Sequence, residues 1–101
     1  MIGRMPYIEV NDCLLKGNLM KIYAVLVDAL DEPEAPLGLT KSVVAEVLEM
    51  HPPNAWHFLK ELVRDGLVEE TTAPPTKRGM PPKYYKAKYP ISRRGVYLTH
   101  A

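Results

Sequence analysis

Two consecutive prolines, Pro52 and Pro53, fall between two stretches of helical periodicity, and no continuous helix can run through them. Upstream, Thr40 is the expected N-cap of a helix reaching about Glu49, with Val43, Val44, Val47 and Leu48 on its apolar side. Downstream, Ala55, Phe58, Leu59, Leu62 and Val63 recur at the spacing i, i+3, i+4, i+7, i+8. The residue before a proline is pushed out of the helical region, whereas Pro53 is tolerated in a first helical turn. Met50-His51-Pro52-Pro53 is therefore a four-residue break between two short helices. Gly66, following Arg64 in the last turn, is the expected left-handed cap of the second one.

A further helix precedes this pair. After Gly17, with Asn18 as expected N-cap, Leu19, Ile22, Tyr23, Leu26, Val27 and Leu30 fall on one helical face. It is expected to end near Asp31, because Glu32-Pro33-Glu34-Ala35-Pro36 cannot continue it. Behind Gly66, Leu67–Thr72 reads as a strand and Lys83–Tyr89 as its return. In the return strand Tyr85, Ala87 and Tyr89 share one face, and Tyr84, Lys86 and Lys88 the other. The connection 73–82 holds four prolines and a glycine, and its tip is expected to project. At the N-terminus, Tyr7-Ile8-Glu9-Val10 alternates as a short strand does, or forms an arm into the first helix. Residues 93–101 add a short strand or a turn. The expected division is an arm over 1–17, one domain over 18–90 and a terminal segment over 91–101.

Composition narrows the classes. A chain of 101 residues, 47% apolar and 25% charged, has the makings of one hydrophobic core. The most apolar stretch, Leu19–Leu30, is too short and too charged to span a bilayer, and the start lacks the features of a signal peptide. The single cysteine, Cys13, is expected to be an inert buried thiol and fits a reducing, cytoplasmic setting. Absence of Gln and abundance of Pro lean toward a thermophilic source. The formal net charge of +1 conceals a strong asymmetry. Residues 1–70 carry twelve acids against six Lys and Arg, whereas residues 71–101 carry seven Lys and Arg and no acid. Such a basic appendage on an acidic body suits a polyanionic partner.

The phrases Phe58-Leu59-Lys60-Glu61-Leu62-Val63-Arg64-Asp65-Gly66-Leu67-Val68 and Gly79-Met80-Pro81-Pro82-Lys83-Tyr84-Tyr85-Lys86-Ala87 resemble the winged helix-turn-helix transcription regulators of the PadR and TrmB type. The resemblance covers roughly residues 19–90. It departs from the family pattern at Met80, where arginine is common, and in lacking a long C-terminal dimerisation helix. The fold expected from it is α+β but mainly α, with three helices and a two- or three-stranded β-wing. The function it implies is regulation of transcription by a double-stranded DNA-binding protein. Helix 52–65 would enter the major groove, and the basic wing 73–83 would lie on the backbone or in the minor groove.

Within that reading, removing the apolar stripe of the second helix leaves Asn54, Trp56, His57, Lys60, Glu61 and Arg64 outside. Asn54 suits bidentate recognition of adenine or caps the helix, and His57 or Lys60 suits guanine or phosphate. Trp56 meets a thymine methyl or sugar, or packs on the wing or a partner subunit. In the wing, Lys77, Arg78 and Lys83 are the expected phosphate contacts, supported by Lys86 and Lys88, with Arg78 the residue suited to a narrow minor groove. A single small domain makes few base contacts, so a homodimer on two half-sites is expected. Its surface would be residues 1–17 with the Met20 and Ala24 side of the first helix, or the C-terminal segment.

Two other readings compete: a winged-helix module that binds another protein of the transcription or replication machinery, and an RNA-binding module using Tyr84. Catalysis is not expected. His51, His57, His100 and Cys13 lack metal-ligand spacing, and no glycine loop is laid out for phosphate. Nothing in the sequence argues for a cofactor, a metal or a small-molecule ligand.

Overall fold

The computed structural model describes residues 2–74, 79 and 81–100. In chain order the elements are β1 (Ile2–Val10), β2 (Cys13–Lys16), α1 (Gly17–Asp28) with a 3-10 turn over Ala29–Asp31, α2 (Lys41–Val47), α3 (Pro52–Arg64), β3 (Val68–Thr72), β4 (Lys83–Ala87) and β5 (Arg93–His100). The strands form two antiparallel sheets, one ordered β2-β1-β5 and the other the hairpin β3-β4. The expectation of a mainly α protein whose strands are confined to a wing is thereby corrected: among the described residues, five strands occupy nearly as much of the chain as the helices.

The correction comes from the two ends of the sequence. Asn11 and Asp12 adopt positive φ values of 46° and 68° between the paired residues Val10 and Cys13. This is the two-residue turn whose twist matches a right-handed antiparallel ribbon, and Asn and Asp accept its left-handed backbone better than most residues. β1 is then long enough to pair with β2 at its C-terminal end and with β5 along most of its length. Ile8, Val10 and Leu15 are fully or almost fully buried on one face of this sheet and join the main core. Residues 2–16 thus form a hairpin rooted in the core rather than an arm, and 93–100 form an eight-residue strand.

The remaining core is built from Ile22, Tyr23 and Leu26 of α1, Val44 and Ala45 of α2, Ala55, Leu59 and Leu62 of α3, and Leu67, Val68, Tyr85 and Ala87 of the hairpin. Three helical details differ from the sequence reading. The cap position of α1 is Lys16, and Asn18 lies inside the helix. Leu30 turns outward in the 3-10 turn, and Val43 and Val47 of α2 are exposed while Ala45 takes the core position. Cys13 is half-buried against the core rather than enclosed.

The break between α2 and α3 has a specific chemistry. Thr40 caps α2 by accepting the Val43 N–H at 3.3 Å. At the other end the Met50 N–H reaches the Ala45 carbonyl and the Glu49 N–H the Glu46 carbonyl, with Glu49 left-handed at φ 53°. These are the 6→1 and 5→2 bonds that close a helix and reverse the chain. α3 then begins on Pro52 and Pro53, which lack only N–H groups that a first turn leaves unpaired. It ends in the same pair of bonds, from Leu67 to Leu62 and from Gly66 to Val63, which aim the chain directly into β3.

The loop before α2 also joins the hairpin. Leu39 and Tyr85 exchange backbone hydrogen bonds of 2.9 and 2.8 Å, which adds one bridge to the free edge of β4. Gly38, at φ 100°, lies so close to the Tyr85 carbonyl that an added Cβ would collide with it. β4 ends at Ala87, two residues earlier than expected, and the chain past it is held by Tyr23. The buried Tyr23 hydroxyl donates to the Tyr89 carbonyl at 2.6 Å and accepts the Tyr89 N–H at 3.2 Å. Among the described residues no helix is long and apolar enough to cross a membrane.

Candidate nucleic-acid interface

The side of α3 opposite the core carries Trp56, His57, Lys60, Glu61 and Arg64 around one shallow open groove. Ala55, Leu59 and Leu62 are each fully buried, so the helix is fixed by its inner stripe and its outer residues are free to meet a partner. Asn54 is exposed on the first turn. It stands inside α3, whose cap position is His51 with no side-chain cap bond, so the alternative capping role for Asn54 falls away.

Trp56 is 41% exposed and has two cations close to its ring. The Lys60 ammonium lies 4.4 Å from the ring centroid, and the Lys41 ammonium 5.8 Å. Both distances suit attraction between a cation and the negative face of the ring. Neither lysine carries an ion pair among the described residues. The indole also borders a second notch, shared with Thr40, Lys41, Ser42, Pro82, Lys83 and Tyr85, which joins the start of α2, the face of α3 and the hairpin. Lys41 went unnoticed in the sequence. The signal lay in its position directly after a capping threonine, at the end of the helix that leads into the break.

Two further cations are partly engaged. Arg64 lies 3.6 Å from Glu61 and 3.4 Å from Asp65, and Lys83 lies 3.5 Å from Glu70. Such exposed pairs are worth about 0–1 kcal/mol each, so a phosphate can displace them at little cost. Glu70 serves a second purpose. It stands directly across from Tyr85 on the neighbouring strand. Burial, followed by the charge of Glu70, pushes the Tyr85 hydroxyl from 10.0 up to about 12.

The structure separates the expected wing residues into two groups. Lys83 shares the Glu70 and Tyr85 face of the hairpin, toward α3. Lys86 is on the opposite face and donates to the Pro36 carbonyl at 3.4 Å, and Lys88 lies past the base of the hairpin, with its N–H on the Leu67 carbonyl. Lys86 and Lys88 therefore do not join the α3 face. Lys77 and Arg78, the other two expected contacts, lie outside the described residues. Arg93 and Arg94 open β5 on the other sheet, where Arg93 lies 3.4 Å from Glu9 and 5.7 Å from the Tyr7 ring centre. Met20, expected at a dimer surface, packs against the core.

Among the described residues the tyrosines Tyr23 and Tyr85 carry the buried side-chain hydroxyls, no charged side chain is buried, and no three His, Cys, Asp or Glu side chains gather to hold a metal ion. Comparison with protein-family models, with curated proteins and with solved structures finds no match.

Proposed function

We propose that this chain is a double-stranded DNA-binding protein of the winged-helix kind, a regulator of transcription rather than an enzyme. α3 enters the major groove, and the notch between α2 and the β3-β4 hairpin seats the flanking phosphates. The observation that carries the reading is the meeting of Lys41, Lys60 and Lys83 around the half-exposed Trp56. A helix with a fixed inner stripe and cations on its outer side matches the width and charge of the major groove. Asn54 and His57 read base edges, Lys41, Lys60 and Lys83 meet phosphate, and Arg64 leaves its weak acidic partners for the backbone. The acid-free segment 71–101 adds long-range attraction. Two copies acting on two half-sites raise specificity, and the single cysteine fits a reducing, cytoplasmic setting.

Titration of mixed-sequence duplex DNA, followed by the fluorescence of the single Trp56, tests this. Binding is expected at low salt, and the log–log salt dependence should steepen by roughly 0.9 per phosphate contact. Lys41→Ala and Lys60→Ala should each flatten that slope by about one contact on every sequence, whereas Asn54→Ala should relax sequence preference. Unchanged Trp56 emission and no binding at low salt would instead favour a protein-binding module. Stronger binding to single-stranded RNA would favour the RNA reading.

A further inference from the structure

The sheet β2-β1-β5 has two free edges of different character. β2 is four residues long and ends at Lys16. β5 is eight residues long and, among the described residues, pairs with β1 on one side only. Its central residues 95–98 carry no charge, no proline and no bulge, the usual devices that keep a sheet edge from pairing. The register with β1 shows which way this stretch faces. Arg94 lies opposite Ile8, Val96 opposite Pro6 and Leu98 opposite Arg4. Val96 and Leu98 therefore share the face on which Ile8 is buried, but they lie past the end of the core and are 57% and 62% exposed. An apolar stripe that begins inside the protein continues into solvent along an unprotected edge.

We propose that β5 pairs antiparallel with β5 of a second copy of this chain, about a twofold axis through position 97. In that register Val96 of each copy meets Leu98 of the other, on the same face, while backbone groups of the edge find partners. A neighbouring twofold register with an even residue sum keeps the same face together, so the side-chain parity of the strand is satisfied by self-pairing. Charge selects the antiparallel sense. Parallel pairing would set Arg93 and Arg94 beside their own copies. The antiparallel register places Arg94 opposite position 100 and separates the two Arg94 positions by six residues, roughly 20 Å at about 3.4 Å per residue. That distance exceeds the Debye length of about 10 Å in 0.1 M salt, so the repulsion is screened. The pairing joins the three-stranded sheets of the two copies into one six-stranded sheet. It locates the dimer of the DNA-binding reading, but it is tested without DNA, so either can fail alone.

Light scattering on the full chain reads the assembly. A mass of twice 11.4 kDa is expected at about 100 μM chain, where a micromolar dimer is almost fully formed. Val96→Glu with Leu98→Glu should yield a single-chain mass with an unchanged circular dichroism spectrum, because like charges then face each other across the axis. Mixing that variant with Val96→Lys/Leu98→Lys should restore the dimer, which a misfolded strand could not do. In a Cys13→Ser background, Tyr97→Cys should form an intermolecular disulfide readily, since paired Cα atoms lie about 4.5–5.5 Å apart. A single-chain mass for the unaltered protein, a dimer indifferent to both charge pairs, or failure of the two variants to reassociate would each overturn the pairing. A dimer dispersed by the charge pairs but without the disulfide at position 97 would overturn the register.

Discussion

Tyr23→Phe removes one oxygen from the centre of the fold and leaves the packing intact. The Tyr23 ring is fully buried among α1, α3 and the sheets, and its hydroxyl satisfies both backbone groups of Tyr89, a residue 66 positions away. The substitution leaves one carbonyl and one N–H of Tyr89 without that partner. A net hydrogen bond is worth about 1 kcal/mol, and a buried group left unpaired costs about 1–3 kcal/mol. Tyr89 is 37% exposed, so water reaches part of the site and the low end of the range applies. Two bonds then amount to about 1–2 kcal/mol. For a domain of this size that lowers Tm by roughly 5–15 °C. Urea unfolding followed by circular dichroism should show a lower midpoint with an unchanged m-value, since the surface exposed on unfolding is the same. Tyr84→Phe, on the outer face of the hairpin with no hydrogen-bond partner for its side chain among the described residues, should stay within about 0.5 kcal/mol. If Tyr23→Phe also stayed within about 0.3 kcal/mol, the hydroxyl bridge would not be what holds the chain after β4 to α1.

Other consequences are equally direct. Gly38→Ala forces a Cβ into the Tyr85 carbonyl at a positive φ, so it should cost more than about 2 kcal/mol in the same unfolding assay, and a loss below about 0.5 kcal/mol would contradict the close approach. Stability should fall in alkali through Tyr85. Its folded value lies above the unfolded 10.0, so its contribution is complete below pH 10 and is lost as pH rises through about 12. Burial raises Tyr23 in the same direction. Midpoints measured against pH should decline less steeply above pH 10 in Tyr85→Phe than in the unaltered chain, and identical slopes would remove Tyr85 from the cause.

The helices and the β3-β4 hairpin were legible because each has a local cause. Thr40 caps, Pro52 and Pro53 start, Gly66 stops, and the stripe from Ala55 to Val63 repeats with the helical period. The terminal sheet was not, although part of its signal was present. Asn11-Asp12 between two alternating stretches marks a hairpin, but Asp in place of the usual Gly weakens the cue. The pairing of β1 with β5 joins residues more than eighty positions apart, and no periodicity within either strand can specify its partner. Periodicity also overstated the α2 core. Val43 and Val47 fit an apolar side by type, yet a seven-residue helix buries only the residues its neighbours reach, and small Ala45 lies on that side. For the interface, sequence alone identified the exposed residues of α3 by subtraction. Alternation put Lys86 and Lys88 on the face opposite Tyr85, but which face of the hairpin meets α3 depends on packing, and nothing local brings Lys41 to Trp56.

Selection of bound duplexes from a random-sequence pool tests the proposed function most directly. If α3 reads base edges through Asn54 and His57, successive rounds should enrich a short motif, and Asn54→Ala should blur it at one position while leaving the rest intact. Pairing through β5 further predicts two such motifs related by a twofold axis. Recovery of a pool no different from its starting composition, under salt conditions where the protein retains its fold, would contradict base reading by α3.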